Sequence, residues 1–156
     1  MSASSTARRV AATVLTAGAL VSAVALPASA HDGDRHRQPR VEISRVQADS
    51  PGRDNGSNRS LNAEWVEITN NTRRAVNLDG WTLRDRDGNR YRFDDVRLSG
   101  RATVRVHTGV GRDTRSDLFQ DRSHYVWDNR SDTATLRDDR GRTVDTESWG
   151  RHHHRR

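Results

Sequence analysis

The chain has 156 residues, room for one ordinary domain, and no cysteine, which excludes disulfide stapling, thiol catalysis and cysteine-linked lipid anchoring. Its formal net charge of +6 is carried by arginine alone, 27 residues with no lysine. The excess is largely terminal. Arg40 to Gly150 holds 20 arginines against 19 carboxylates, whereas Arg151, Arg155 and Arg156 add +3, so a globally basic nucleic-acid face is not indicated. A GC-rich bacterial genome accounts for arginine in place of lysine, although the guanidinium fork does differ physically in pairing with carboxylate and phosphate.

Residues 1–30 have the layout of a secretory signal peptide. Arg8 and Arg9 supply the positive start, Val10 to Leu26 is an uncharged apolar run, and Pro27 breaks it ahead of the small residues Ala28-Ser29-Ala30. Cleavage after Ala30 is expected, leaving a mature protein that starts at His31, is secreted or held at the cell surface, and keeps no membrane span. The apolar run is short for crossing about 30 Å of hydrocarbon. Residues 31–39 (HDGDRHRQP) lack apolar periodicity and read as a flexible polar arm, and residues 151–156 as a basic His/Arg tail.

From Val41 the pattern changes to short apolar runs of period two separated by turn residues. Val41, Ile43 and Val46 begin a first strand. Asp49 to Asn62 is too rich in Gly, Asn and Ser to form an element and reads as a loop. Glu64 to Thr69 is the second strand, with Val66 and Ile68 on one face and Trp65 on the other. Leu78 to Arg84 and Arg90 to Asp94 are the third and fourth, joined by an Asp85–Asn89 hairpin turn whose Asp-Gly tolerates positive φ. Thr103 to His107 alternates with Val104 and Val106 inward. Tyr125 to Trp127, Thr133 to Arg137 and Thr143 to Trp149 complete the set, with no helical period after residue 30. About seven to nine short strands at regular spacing predict an all-β sandwich spanning residues 40–150. The aliphatics are few, so Trp65, Trp81, Trp127 and Trp149 are expected to carry the core together with Val66, Ile68, Leu83, Val104, Val106 and Leu136. Replacing Trp65 or Trp127 by alanine would then cost about 3–5 kcal/mol.

Four segments taken together resemble a known family. They are Glu64-Trp65-Val66-Glu67-Ile68-x-Asn70, Leu78-Asp79-Gly80-Trp81-Thr82-Leu83-x-Asp85, Val106-His107-Thr108-Gly109-x-Gly111, and Val126-Trp127-Asp128-Asn129-x-x-Asp132-Thr133-Ala134-Thr135-Leu136. In that order they resemble the lamin-tail domain over roughly Arg40 to Gly150. The departures are Ser131, where a glycine is common, and the long Asp49–Asn62 loop. The resemblance implies an immunoglobulin-like antiparallel sandwich and a binding role. Nuclear lamins of the family are linked to chromatin and protein partners, similar bacterial domains occur in exported proteins, and the family offers no catalytic residues to carry over.

Residue chemistry adds several candidates. Glu64 and Glu67, three apart on a strand, face opposite ways and cannot work as an acid/base pair. Asp85-x-Asp87-Gly88-Asn89 is similar to a calcium loop, but its glycine falls too early and no Glu completes it, so turn chemistry explains it. Asp94-Asp95 and Asp138-Asp139 read as solvated turn ends, and Gly109-Val110-Gly111 lacks the strand–helix context of a phosphate loop. His31 as a new N-terminus would present an α-amine and an imidazole, a potential copper chelate if His36, His107 or His124 joined it. His152, His153 and His154 are expected to bind divalent transition metals weakly, and no cofactor is otherwise expected. Arg84, Arg86, Arg90 and Arg92 surround one hairpin and, with Arg151, Arg155 and Arg156, form the candidate polyanion contacts, the nearby Asp85, Asp87, Asp94 and Asp95 cancelling much of their field. Neither a Gly-x-Ser-x-Gly elbow nor a zinc-protease helix is present. The sequence thus reads as an exported non-catalytic module contacting a cell-envelope, matrix or protein partner. Polyanion or DNA binding and copper binding through His31 are the alternatives.

Overall fold

The computed structural model describes residues 40–150, so the expected signal peptide, arm and tail, with His31, His36, Arg151 and His152 to Arg156, lie outside the described residues. Ten strands and one short helix follow in order: β1 Val41–Gln47, α1 Asn58–Ala63, β2 Trp65–Asn70, β3 Val76–Asn77, β4 Thr82–Arg84, β5 Arg90–Arg92, β6 Arg97–Leu98, β7 Thr103–His107, β8 Asp117–Phe119, β9 Asp132–Arg137 and β10 Thr143–Trp149. They form a first sheet in the order β1-β2-β7-β8, a second in the order β10-β9-β4-β5, and a small β3-β6 ribbon. Every pairing is antiparallel except β7 with β8, which run parallel.

Alternation places Val66, Ile68, Val104 and Val106 on the inner face of the first sheet and Leu83, Ala134 and Leu136 on that of the second, and all seven belong to one buried cluster. Phe93, Leu78 and Leu98 belong to the same cluster. The sheets are joined along β1 and β10. Each carries a bulge, between Ile43 and Arg45 and between Thr143 and Asp145, and there the Ile43 amide donates to Asp145 Oδ2 at 2.7 Å.

Several expectations are corrected. The Asp49–Asn62 segment is not wholly loop. It contains most of α1, whose Ser57 cap accepts from the Ser60 amide at 3.3 Å and whose Leu61 is buried. Six residues are too few to display a helical period. Tyr125 to Trp127 is not a strand; the amides of Val126 and Trp127 turn to a side chain. The third strand begins only at Thr82, because Leu78 to Trp81 is a turn closed by a Trp81 amide bond to the Leu78 carbonyl at 2.9 Å. The fourth stops at Arg92, and β3, β6 and β8 are additions of two or three residues.

Trp127 is 2% exposed and meets Trp149 edge-on at 5.9 Å, with Trp81 and Trp149 packed at the margin of the cluster. Trp65 is different. It points out of the first sheet, half-buried, with the Arg105 guanidinium 4.4 Å above its ring, and does not join the core.

The acceptor for the Val126 and Trp127 amides is Glu64, which is 0% exposed. Its Oε1 accepts from Thr108 Oγ1 at 2.6 Å, the Val126 amide at 2.9 Å and the Trp127 amide at 3.3 Å, whereas Oε2 is buried without a hydrogen-bond partner. Burial pushes the Glu64 carboxyl above the ordinary glutamate range; the three donors oppose that push and do not overcome it.

Trp127→Ala should lower stability by about 3–5 kcal/mol, and Trp65→Ala by only about 1–2 kcal/mol for partial area and one cation–π contact. Urea melts distinguish them, and equal losses would return Trp65 to the core. For Glu64, the folded state holds the proton more tightly than the unfolded chain. Its contribution is therefore full below the ordinary glutamate pKa and declines as pH rises through the raised one. Glu64→Gln should fold and lose that decline in a series of melts from about pH 4 to pH 8. Glu64→Ala, leaving three donors unanswered, should cost several kcal/mol throughout, on the order of 1–3 per buried group. A wild-type stability that rises with pH relative to Glu64→Gln would reverse the sign.

Candidate functional site

One end of the sandwich gathers α1, the 108–116 loop after β7 and the 120–131 segment. Within it Asn58 treats Val110 as a strand neighbour would: the Val110 amide donates to Asn58 Oδ1 at 2.7 Å and Asn58 Nδ2 donates to the Val110 carbonyl at 2.9 Å. Asn62 Nδ2 adds a second bond to that carbonyl at 2.9 Å. The clamp explains the glycine pair. A Cβ on Gly109 would sit 2.5 Å from both asparagine oxygens, and one on Gly111 would sit 2.4 Å from the Phe119 ring. The two glycines are there for close approach, not for phosphate. Between them Val110, 54% exposed, is the exposed large aliphatic of the described residues.

Neighbouring contacts hold the same end. Tyr125 Oη and Ser60 Oγ are 2.6 Å apart, and the Gly56 amide donates to Tyr125 Oη at 3.3 Å. Asn129 Nδ2 donates to Asp54 Oδ2 at 2.8 Å and to Asp49 Oδ1 at 3.2 Å. His107 stacks on Phe119 at 5.0 Å and engages both ring nitrogens, Nδ1 at 2.7 Å from the Asn62 carbonyl and Nε2 at 2.9 Å from Asp117 Oδ1. The Ser116 hydroxyl and then His107 hold the Asp117 carboxyl below the ordinary range. His107 is thus occupied as a structural residue, His124 is exposed, and no group of three or more His, Cys, Asp or Glu among the described residues is arranged to hold a metal ion.

The other candidates are distributed as follows. Glu64 and Glu67 do face opposite ways, Glu64 inward and Glu67 outward to Arg105 at 3.1 Å. Asp85 is buried in its own hairpin, accepting from the Asn89 amide at 2.7 Å and also from the Asn89 side chain, as turn chemistry requires. Asp94 and Asp95 are exposed, but Asp138 corrects the reading of solvated turn ends. It is 8% exposed, accepts the Arg140 and Arg142 amides at 3.0 and 2.9 Å, and pairs with the Arg142 guanidinium at 2.7 Å. Arg84, Arg90 and Arg92 share the outer face of β4 and β5, since Arg84 pairs with Arg90 and Thr82 with Arg92. Arg86 is apart from them at the hairpin tip, its Nη2 donating to the Ser131 carbonyl at 2.9 Å. On the inner side of β5 burial pushes the Tyr91 hydroxyl up to about 12, with Asp113, Asp121 and Asp94 adding to the shift.

Local sequence pattern does not mark the asparagine clamp or the apolar loop tip as a site. The available signals were Ser57 preceding Asn58-x-x-x-Asn62, a spacing that puts both amides on one helix face, and a lone valine between glycines.

No curated protein matches this sequence. The family described as Lamin Tail Domain, a non-catalytic immunoglobulin-like domain, matches residues 35–151, which contain both sheets, the Glu64 knot and the clamped loop. The chain therefore belongs to the lamin tail domain family.

Proposed function

We propose that this protein is an exported, non-catalytic binding module that holds a protein or polymer of the cell envelope or extracellular matrix through the loop end around Val110. The observation that supports this most directly is the double asparagine clamp. An exposed aliphatic is held at a loop tip by three hydrogen bonds, so little conformational entropy remains to be lost when a partner covers it. Rigid scaffolds with ordered loops are the usual setting for recognition. The family supplies a fold without catalytic residues, and the export reading rests on the layout of residues 1–30.

The surface is tested with the full-length protein and its Val110→Asp and Asn58→Ala variants on purified cell envelope, at about 0.5 M salt to screen charge-driven adhesion. Val110→Asp should melt like the wild type and lose retention at least tenfold. Asn58→Ala should lose less, through loosening of the tip. Unchanged retention of Val110→Asp would move the site elsewhere. Export has its own readout: mass spectrometry of protein collected from the culture medium should find His31 as the first residue. A cell-retained chain that still begins at Met1 would refute it.

A further inference from the structure

The outer face of the second sheet carries charge in an ordered pattern. Register sets two rows across its four strands. One runs Arg92, Thr82, Arg137, Thr143; the other runs Arg90, Arg84, Thr135, Thr146. Thr133 and Ser148 extend the face, their hydroxyls 2.9 Å apart. No carboxylate occupies an outward position on β4, β5, β9 or β10. Asp132 and Asp145 are paired with the inward Trp149 and Leu136, and Glu147 is opposite the inward Ala134. Asp139, in the β9–β10 turn, lies at the rim near Arg92, since its Cβ and Arg92 Nη2 would each be 3.5 Å from a Cβ on Gly80. Among the described residues none of these four arginines forms an ion pair, although Arg105 and Arg142 elsewhere do. Four like charges on one sheet face, in a region with almost as many acids as bases, repel one another and are stabilised by an anion laid across them.

The face also specifies what kind of anion. Rows about 6.6–6.8 Å apart along a strand suit an extended chain with repeating charge, and guanidinium forks match the paired oxygens of a phosphodiester. Interleaved hydroxyls suit a ligand with hydroxyls of its own. No aromatic side chain occupies an outward position of these strands, so nothing offers a platform for bases or sugar rings. We propose that this face is a docking surface for an acyclic polyol-phosphate polymer, with Arg84, Arg90, Arg92 and Arg137 on successive phosphates and the threonine hydroxyls on the polyol. It is a second surface, separate from the Val110 loop end and independent of that reading.

The test measures binding of the full-length protein to poly(glycerol phosphate), to duplex DNA and to heparin across a range of salt concentrations. Poly(glycerol phosphate) should be preferred. Arg84→Gln, Arg90→Gln, Arg92→Gln and Arg137→Gln combined should weaken its binding at least tenfold and flatten the log K against log salt slope by about 3, on a single-strand scale of about 0.7 per phosphate. Replacing Arg151, Arg155 and Arg156 by glutamine should leave most of the affinity. Because Arg137 has a buried Nε, the triple variant lacking only Arg84, Arg90 and Arg92 serves as a second arm if the quadruple one melts early. Tighter binding to DNA or heparin, or loss of binding with the tail variant alone, would overturn the proposal. Val110→Asp should bind the polymer normally, which keeps the failure of one surface distinct from failure of the other.

Discussion

A single buried carboxylate ties together four parts of this sandwich. Glu64 ends α1, where its amide bonds to the Leu61 carbonyl at 3.2 Å, and leads directly into β2. Its own carbonyl accepts from the Thr108 amide at 3.1 Å at the end of β7, and its side chain takes the Thr108 hydroxyl and the amides of residues 126 and 127. The last two matter most. Residues 126 and 127 run through the interior without a strand partner, and buried amides must find acceptors. The carboxylate substitutes for the missing strand and so allows Trp127 to enter the core. Its desolvation is the cost, expressed in the raised affinity of Glu64 for a proton.

The loop end inherits its rigidity from that knot. With Glu64 fixed, α1 has a defined end and Thr108 a defined position, so Asn58 and Asn62 stand opposite residues 109–111 across a gap that admits only glycine at Gly109. Asn70 performs the corresponding task at the other end of β2. Its Nδ2 donates to the carbonyls of Arg74, Leu98 and Ser99 at 2.8, 3.1 and 2.9 Å, and its Oδ1 accepts from the amide and hydroxyl of Thr72. β2 is thereby anchored at both ends by side chains that replace backbone partners. What varies between the ends is exposure: the Asn70 end is closed over core, whereas the Glu64 end leads to a loop whose tip faces solvent.

The parts of this fold legible in sequence were those governed by period-two alternation over five residues or more. β7 and β10 fall on the expected residues, and Val104, Val106 and Leu136 face inward as alternation requires. β3, β6 and β8, of two or three residues with no longer alternating run around them, exist because a neighbouring segment supplies their partners. Tyr125 to Trp127 has the composition of a strand, but the amides of Val126 and Trp127 are answered by a side chain 62 and 63 residues distant, a relation no local pattern contains. The outward turn of Trp65 follows from its alternation with the buried Val66, which outweighs the expectation from its size that it joins the core. The clamp at Val110 combines residues 52 and 48 positions apart, so each half looks like ordinary loop.

Charge shows the same limit in its clearest form. Between residues 84 and 95 arginine and aspartate alternate so closely that, along the chain, they cancel. The fold separates them. Asp85 turns into its hairpin, and Arg84, Arg90 and Arg92 emerge together on the outer side. Arg137, more than forty residues later, completes the group through the β4–β9 register. A sheet sorts residues by parity, so acids and bases that alternate in sequence are delivered to opposite faces. A near-neutral domain can therefore present a cationic face to one partner, and net charge, which sums over both faces, is insensitive to that arrangement.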